Sequence, residues 1–327
     1  MRAWQVTRLG EPSDVLTLGD VPDPTPGPSQ VKVRVLAAAA NFPDVLMCRG
    51  LYQVRPDLPF TPGVELCGEV VEIGSEVTGV AIGDRVIGSP LAPAGAFAEL
   101  ALMEAVTTFP APAGLDDAQA ASFYIGYQTS WFALHRRTQV QAGDTVLVHA
   151  AAGGVGSSAV QLAKAAGARV IGVVGNAEKG EVARALGADV VVNRHDEDFV
   201  QVVKDATGGR GADIVYDPVG GETYTRSTKC IAFEGRIVVI GFAGGEIQTA
   251  PLNHPLVKNY SVVGLHWGLY TQRDPALVRH CHDELTRLAD AGVAVPIVSE
   301  RIGLDDVPAG LQRLADGVTT GRVVMVA

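Results

Sequence analysis

VLVHAAAGGVGSSAVQLAKAA, residues 146–166, decides how the rest of this chain is read. Four apolar or buried-type residues run into a glycine-rich turn, and a segment with small residues on one face follows. Ala151, Gly153 and Gly156 occupy the three positions of G-x-G-x-x-G, with Ala in place of the first Gly. Between a strand and a helix, such glycines allow a tight turn, close approach of the backbone to a pyrophosphate, and close packing of helix on strand. The helix N-terminus then offers free N–H groups and the positive end of its dipole to the anion. The context predicts a dinucleotide site rather than a bare α/β turn.

Nucleotide preference is read further along. An NAD site carries an Asp or Glu about 20 residues on, for the ribose 2′-hydroxyl. Gly175 and Asn176 stand there instead, with Lys179 opening the next helix and Arg194 after the following strand. A missing carboxylate and two nearby cations suit a 2′-phosphate, so NADPH is the expected cofactor.

The surroundings repeat the strand–helix rhythm from about residue 123. Strands are expected at 145–149, 168–174, 190–192, 213–216 and 236–240, with a last one at 261–266, and helices at 155–166 and 178–186. Apolar strands alternating with helices mean a parallel sheet covered on both faces, an α/β fold. Before residue 122 the pattern is short strands broken by Gly and Pro. Val31-Lys32-Val33-Arg34-Val35 alternates as a half-buried strand does, and no strong helix is expected before Asp116. A long helix (275–291) and a strand (323–326) close the chain, the strand returning to the first domain.

Composition agrees with this reading. At 327 residues, 47% hydrophobic and 19% charged, the chain has material for about two packed domains. The formal charge of −10 opposes binding to nucleic acid through phosphates. The four cysteines, at 48, 67, 230 and 281, have neither disulfide nor zinc spacing. With no basic-then-apolar leader and no membrane-length apolar run, a soluble cytoplasmic protein is expected. H-E-x-x-H, C-x-x-C and G-x-S-x-G are absent, and no Tyr has a Lys four residues on. His280 and His282 are expected at the surface.

Beyond the turn, the motifs Asn41-Phe-Pro-Asp44, Arg49-Gly-Leu-Tyr52, Pro62-Gly-Val-Glu65, Gly83-Asp-Arg-Val86, His149-Ala-Ala-Ala-Gly-Gly-Val-Gly156 and Gly187-Ala188 recur in order. With them the chain resembles the medium-chain dehydrogenase/reductase superfamily, in its zinc-independent quinone oxidoreductase (zeta-crystallin-like) branch, over essentially its whole length. The resemblance implies a GroES-like, β-rich catalytic domain at 1–122, completed by 270–327, and a Rossmann doubly wound parallel-sheet domain at 123–269. It implies no zinc: the first motif lacks a Cys, and Val64 replaces the His of Gly-His-Glu.

The same resemblance supplies site residues. Asn41 and Tyr52 would line the substrate cleft as catalytic residues, and Thr129 would hold the nicotinamide amide. Gly153, Gly154, Val155 and Gly156 would contact the pyrophosphate. Gly175, Asn176, Lys179 and Arg194 would surround the 2′-phosphate. Phe242 and the loop Leu265–Gly268, with Trp267, would close over the nicotinamide. Arg194 stands where many relatives have Tyr, and Leu46 where several have a second cleft Tyr.

The implied chemistry is hydride transfer from NADPH to a quinone, with the Asn41 amide or the Tyr52 hydroxyl donating to the developing oxyanion. An NADPH-dependent reductase of activated C=C bonds and a non-catalytic, crystallin-like NADPH binder are the alternatives. An acyl-CoA substrate would need a basic entrance, which the sequence does not locate. A homodimer paired through strand 261–266 is expected, since an exposed edge needs covering.

Overall fold

The computed structural model describes all residues, Met1–Ala327. The chain forms two compact units, Met1–Ile125 with His282–Ala327, and Gly126–Cys281. No helix is long and apolar enough to cross a membrane.

The first unit holds β1 (Arg2–Val6), β2 (Leu16–Asp20), β3 (Gln30–Ala39), β4 (Leu66–Ile73), β5 (Arg85–Gly88), β6 (Leu100–Glu104) and β7 (Phe109–Pro110). The second holds β8 (Thr145–His149), β9 (Arg169–Val174), β10 (Val190–Asn193), β11 (Ala212–Asp217), β12 (Ile231–Val239) and β13 (Ser261–Gly264). β14 (Val298–Ile302) and β15 (Arg322–Val326) belong to the returning C-terminus.

β3 is the spine of the first unit. Its alternating start buries Val31, Val33 and Val35 on one face, and its end, Ala37–Ala39, is buried outright. Small side chains there let β15 lie antiparallel alongside, pairing Val324 with Ala39 and Val326 with Ala37. The sheet order is β14-β15-β3-β4-β5-β7, with β6 also on β3. The C-terminal strand therefore completes the first unit, as expected.

A helix, Phe42–Cys48, was not expected here. The capping residues explain it: Asp44 Oδ2 accepts from the backbone N–H of Asn41 at 2.9 Å, and Pro43 lies within the first turn, where a missing N–H costs nothing. At seven residues, under two turns, it is too short for a 3.6-residue period to show.

In the second unit all six strands are parallel, in the order β10-β9-β8-β11-β12-β13. Every residue of β8 is buried, as a strand covered on both faces requires. The order reverses between β8 and β11, the position where doubly wound sheets open a ligand crevice at their carboxyl ends. Helices Phe199–Ala206 and Gly221–Ser227 were not foreseen.

Residues 270–281, assigned from sequence to the first domain, pack within the second unit. Tyr270 rests on Phe132 with ring centroids 4.3 Å apart, and His280 meets Trp131 edge-on at 6.0 Å. His282, expected at the surface, is buried: its ring stacks on Phe109 at 4.6 Å and its Nε2 lies 3.1 Å from the Pro110 carbonyl oxygen.

The return of β15 also buries a charge. Arg322 forms an ion pair with Glu65, and the two side chains are 5% and 0% exposed. Arg322→Met should destabilise the protein by about 3–5 kcal/mol in denaturant unfolding, because Glu65 would be left buried and unpaired. Adding Glu65→Gln should recover part of that loss, and an additive double variant would show that the two residues do not act as a pair.

Candidate active site

In the second unit the cradle begins where β8 ends. Ala150 turns the chain at φ 51°, and the Gly153 N–H donates to the Ala150 carbonyl at 2.8 Å. Gly153 caps helix Gly154–Ala165 without any side-chain oxygen, and the first helical bond is Ser157 N–H to Gly153 O at 2.9 Å. The N–H groups of Gly154, Val155 and Gly156 are therefore unspent, which suits an anion. A Cβ at Gly156 would sit 2.1 Å from the Ala150 carbonyl oxygen, so only glycine permits this approach of helix to strand end. Ala151, the departure from the glycine pattern, is accommodated from the neighbouring strand. A Cβ on Gly172 of β9 would lie 2.9 Å from the Ala151 methyl.

At the end of β9, Asn176 caps helix Ala177–Ala185, its Oδ1 accepting from the Lys179 N–H at 2.8 Å. The Arg194 N–H donates to Val174 O at 3.0 Å, which sets its guanidinium over Gly175: a Cβ there would lie 3.5 Å from Nη2. The Lys179 ammonium is pushed below its ordinary pKa by burial and then by the Arg194 charge, with Glu178 opposing. Two cations thus stand together where an NAD site would carry an acid.

A crevice of about 270 Å³ opens along the carboxyl ends of β8, β9, β10 and β11, with Ala150, Val173, Arg194 and Val219 on its walls. Sequence reasoning missed three of its other residues. Arg226 lies 4.6 Å over the Phe199 ring while pairing with Asp198 at 2.7 Å. His149 is fully buried, its Nε2 2.8 Å from Ser227 Oγ, and burial lowers its pKa to about 3. Phe199 comes from a helix whose Asp198 cap and apolar residues at 199, 200 and 203 were a readable signal, and Arg226 from a seven-residue helix with none. His149 was visible in the quoted stretch, but its neutrality follows only from burial.

The Thr129 helix, Tyr124–Trp131, is fastened to the cradle by its neighbour Ser130. That hydroxyl lies 3.1 Å from Val155 O, 2.8 Å from Ser158 Oγ and 3.0 Å from Tyr216 Oη. Thr129 itself is buried. Phe242 packs on Gly220, where a Cβ would meet its ring at 2.9 Å. Leu265 extends the β13 line, donating its N–H to Val239 O at 3.2 Å, and it borders a different pocket from the nucleotide crevice. Trp267 and Gly268 lie in the short helical turn Trp267–Leu269.

In the first unit Asn41 sits in a buried polar cluster. Its Nδ2 donates to Ala39 O at 3.1 Å and to Glu65 Oε1 at 2.9 Å, so both amide hydrogens are spent. The expected donation from the Asn41 amide to a substrate oxygen is not available. Glu65 is held in turn by Arg322 and by the Ile125 N–H at 2.9 Å. Asp44 accepts from Gly63 N–H at 2.8 Å, and burial raises its pKa to about 7. Burial lowers that of Arg322 to about 10. Tyr52 is half-buried against the core, and burial, with the Asp44 charge second, raises its pKa. Its hydroxyl has no partner within the protein.

No group of three or more His, Cys, Asp or Glu side chains is arranged to hold a metal ion. Asp44 and Glu65 are committed to backbone N–H groups and to Arg322, and burial pushes the Cys48 and Cys67 thiols up to about 12. These residues do not fit a zinc site.

A nucleotide cradle in a doubly wound sheet and a separate β-rich unit completed by the C-terminus are the two parts of a nucleotide-dependent oxidoreductase. The family pattern described as alcohol dehydrogenase GroES-like domain matches residues 27–113, and that described as zinc-binding dehydrogenase matches 154–283. The chain is 40% identical over 301 residues to the quinone oxidoreductase-like protein 2 homolog of Nematostella vectensis, covering 91% of this chain and 82% of that protein. It is 36% identical over 325 residues to the Mus musculus quinone oxidoreductase-like protein 2, covering 99% and 91%. The Escherichia coli quinone oxidoreductase, solved in complex with NADPH, superposes over 100% of both chains with a TM-score of 0.93 at 31% identity. This chain belongs to the quinone oxidoreductase family of medium-chain dehydrogenases/reductases.

His149 gives a pH test of the crevice. Its folded pKa lies below the ordinary 6.5, so the unfolded chain binds the proton more readily between pH 6.5 and about 3. The stability it contributes is full above 6.5 and drains as pH falls through that window, by at most about 1.4 kcal/mol per pH unit. Unfolding of His149→Asn across this range should lack that slope, and parallel curves for the two proteins would refute it.

Proposed function

We propose that this chain is an NADPH-dependent quinone reductase that transfers hydride without a metal. The observation that carries the reading is the Arg194 guanidinium set over Gly175 beside Lys179, a cationic end to the nucleotide crevice with no acid in the NAD position. The NADPH complex of the E. coli relative supports it. When bound, NADPH supplies the hydride. The chain's own residues bind and orient: the Gly154–Gly156 N–H groups and helix dipole hold the pyrophosphate, and Lys179 and Arg194 hold the 2′-phosphate.

Without a Lewis acid, an unactivated ketone would lack its main charge stabilisation, whereas a conjugated quinone delocalises the developing charge. Tyr52 is the donor we assign to the acceptor oxygen. Its raised pKa keeps the hydroxyl protonated at neutral pH, and no protein group competes for it. Asn41, with Asp44, Glu65 and Arg322 behind it, is a positioning residue. A homodimer joined through β13 is part of this reading. Val262 on that edge and Leu252, Leu256 and Val257 before it are exposed apolar side chains.

Arg194→Ala should raise the NADPH dissociation constant about tenfold through loss of charge-assisted bonds, with NADH binding within about twofold. An equal loss for both cofactors would sink the phosphate assignment.

Turnover of benzoquinone and naphthoquinone, followed by NADPH consumption, tests the activity itself. Tyr52→Phe should lower kcat by about tenfold to a hundredfold with NADPH binding unchanged. Full activity would remove Tyr52 as donor. Reduction of an enone alone would move the function to alkene reduction, and binding without turnover of any acceptor would favour a non-catalytic role.

A further inference from the structure

A second pocket of the second unit, about 250 Å³, lies at the carboxyl end of β13 and shares no residue with the nucleotide crevice. Leu265 and Leu269 give it apolar surface, and His266, Tyr270, Arg137 and Arg273 give it polar walls. The two arginines come from different elements. Arg137 ends the π-helical turn Phe132–Arg137, and Arg273 ends helix Tyr270–Arg273. The Tyr270 ring, resting on Phe132, clamps these elements together.

Cations at helix ends satisfy the local dipoles, which is the ordinary reason for arginine at either position. Their convergence is not explained that way. Neither guanidinium has an ion pair or hydrogen bond within the protein, in a chain of net charge −10. Other arginines here hold carboxylates, as Arg49 holds Glu11 and Arg301 holds Asp116, both at 2.7 Å. Both guanidinium groups are exposed to solvent on the wall of one partly apolar concavity, so an anion seated there would meet two charged, forked donors.

We propose that this pocket is an anion subsite for the electron acceptor, taking a phosphate or carboxylate on the guanidinium pair and the adjoining carbon chain on Leu265 and Leu269. The inference rests on the reading that the chain reduces an acceptor, and it narrows the class to conjugated acceptors with an anionic tail. A phosphate-bearing thioester such as an acyl-CoA fits, and so does an enone carboxylate. Binding energy would then come from a part of the substrate remote from the reacting bond.

The test uses the full chain and its Arg137→Gln/Arg273→Gln variant. The acceptors are crotonyl-CoA, its uncharged N-acetylcysteamine thioester, 4-oxopent-2-enoate and the methyl ester of that acid. The subsite predicts that KM rises about tenfold in the variant for one or both anionic acceptors, at low salt, with both neutral acceptors and NADPH affinity unchanged. A rise confined to crotonyl-CoA identifies phosphate as the source, and one confined to the oxopentenoate identifies carboxylate. Equal changes for charged and neutral acceptors would overturn the proposal. So would unchanged KM values with an altered oligomeric state, which would make the arginines an assembly contact. If no acceptor is turned over, the reductase reading fails separately. Pyrophosphate binding to NADPH-saturated protein, measured by calorimetry, then decides the subsite: binding lost in the variant keeps it, and no binding to either protein removes it.

Discussion

Glu65 and Arg322 lie 257 residues apart in sequence, and their buried ion pair fastens the C-terminal strand to the rest of the first unit. Desolvating such groups costs several kcal/mol each, so the arrangement holds only while each keeps its partner. Glu65 also accepts from the Asn41 amide and the Ile125 N–H, so one carboxylate fixes the entry to helix Phe42–Cys48 and the chain's passage toward the second unit. Asp44 repeats the device one turn on, with its oxygens on the Asn41 and Gly63 N–H groups. Polar residues that resemble a catalytic set therefore serve first as a scaffold, whereas the Tyr52 hydroxyl takes no part in that network.

In the second unit the constraint is space rather than charge. Helix Gly154–Ala165 approaches β8 so closely that a Cβ at Gly156 would overlap the Ala150 carbonyl, and Gly172 yields room to Ala151. As at any helix start, the N–H groups of the first turn have no carbonyl one turn back to bond. Ser130, bridging to Val155, Ser158 and Tyr216, holds the preceding helix against the same turn. His149 stays neutral beneath it because burial, and after it the Arg226 charge, disfavour the imidazolium.

Cations are instead kept to particular places on an acidic chain. Arg226 is neutralised by Asp198 and spread over the Phe199 face, whereas Arg194 beside Lys179 has no carboxylate. Net charge describes the chain as a whole and hides pockets of this size, since a few guanidinium groups outweigh distant carboxylates within a Debye length of roughly 8–10 Å.

The stretch from Val146 to Ala166 was sufficient by itself for the α/β class, because strand, glycine turn and helix are contiguous and their period is visible in sequence. The parallel strands followed from apolar runs of the same kind, and Gly175, Lys179 and Arg194 from counting along them. Helices Phe42–Cys48 and Gly221–Ser227 escaped because seven residues, under two turns, do not establish a 3.6-residue period. Phe199–Ala206, by contrast, carries an Asp198 cap and apolar residues at 199, 200 and 203, a legible pattern that went unread. Only the tertiary structure decided that both Asn41 amide hydrogens are consumed and that His282 is buried against Phe109. It also decided that residues 270–281 stay with the second unit and that Arg137 and Arg273 share a pocket. Each of these depends on residues far apart in the chain meeting in space, and sequence patterns report neighbours along the chain, not the partners that hydrogen bonds and burial select.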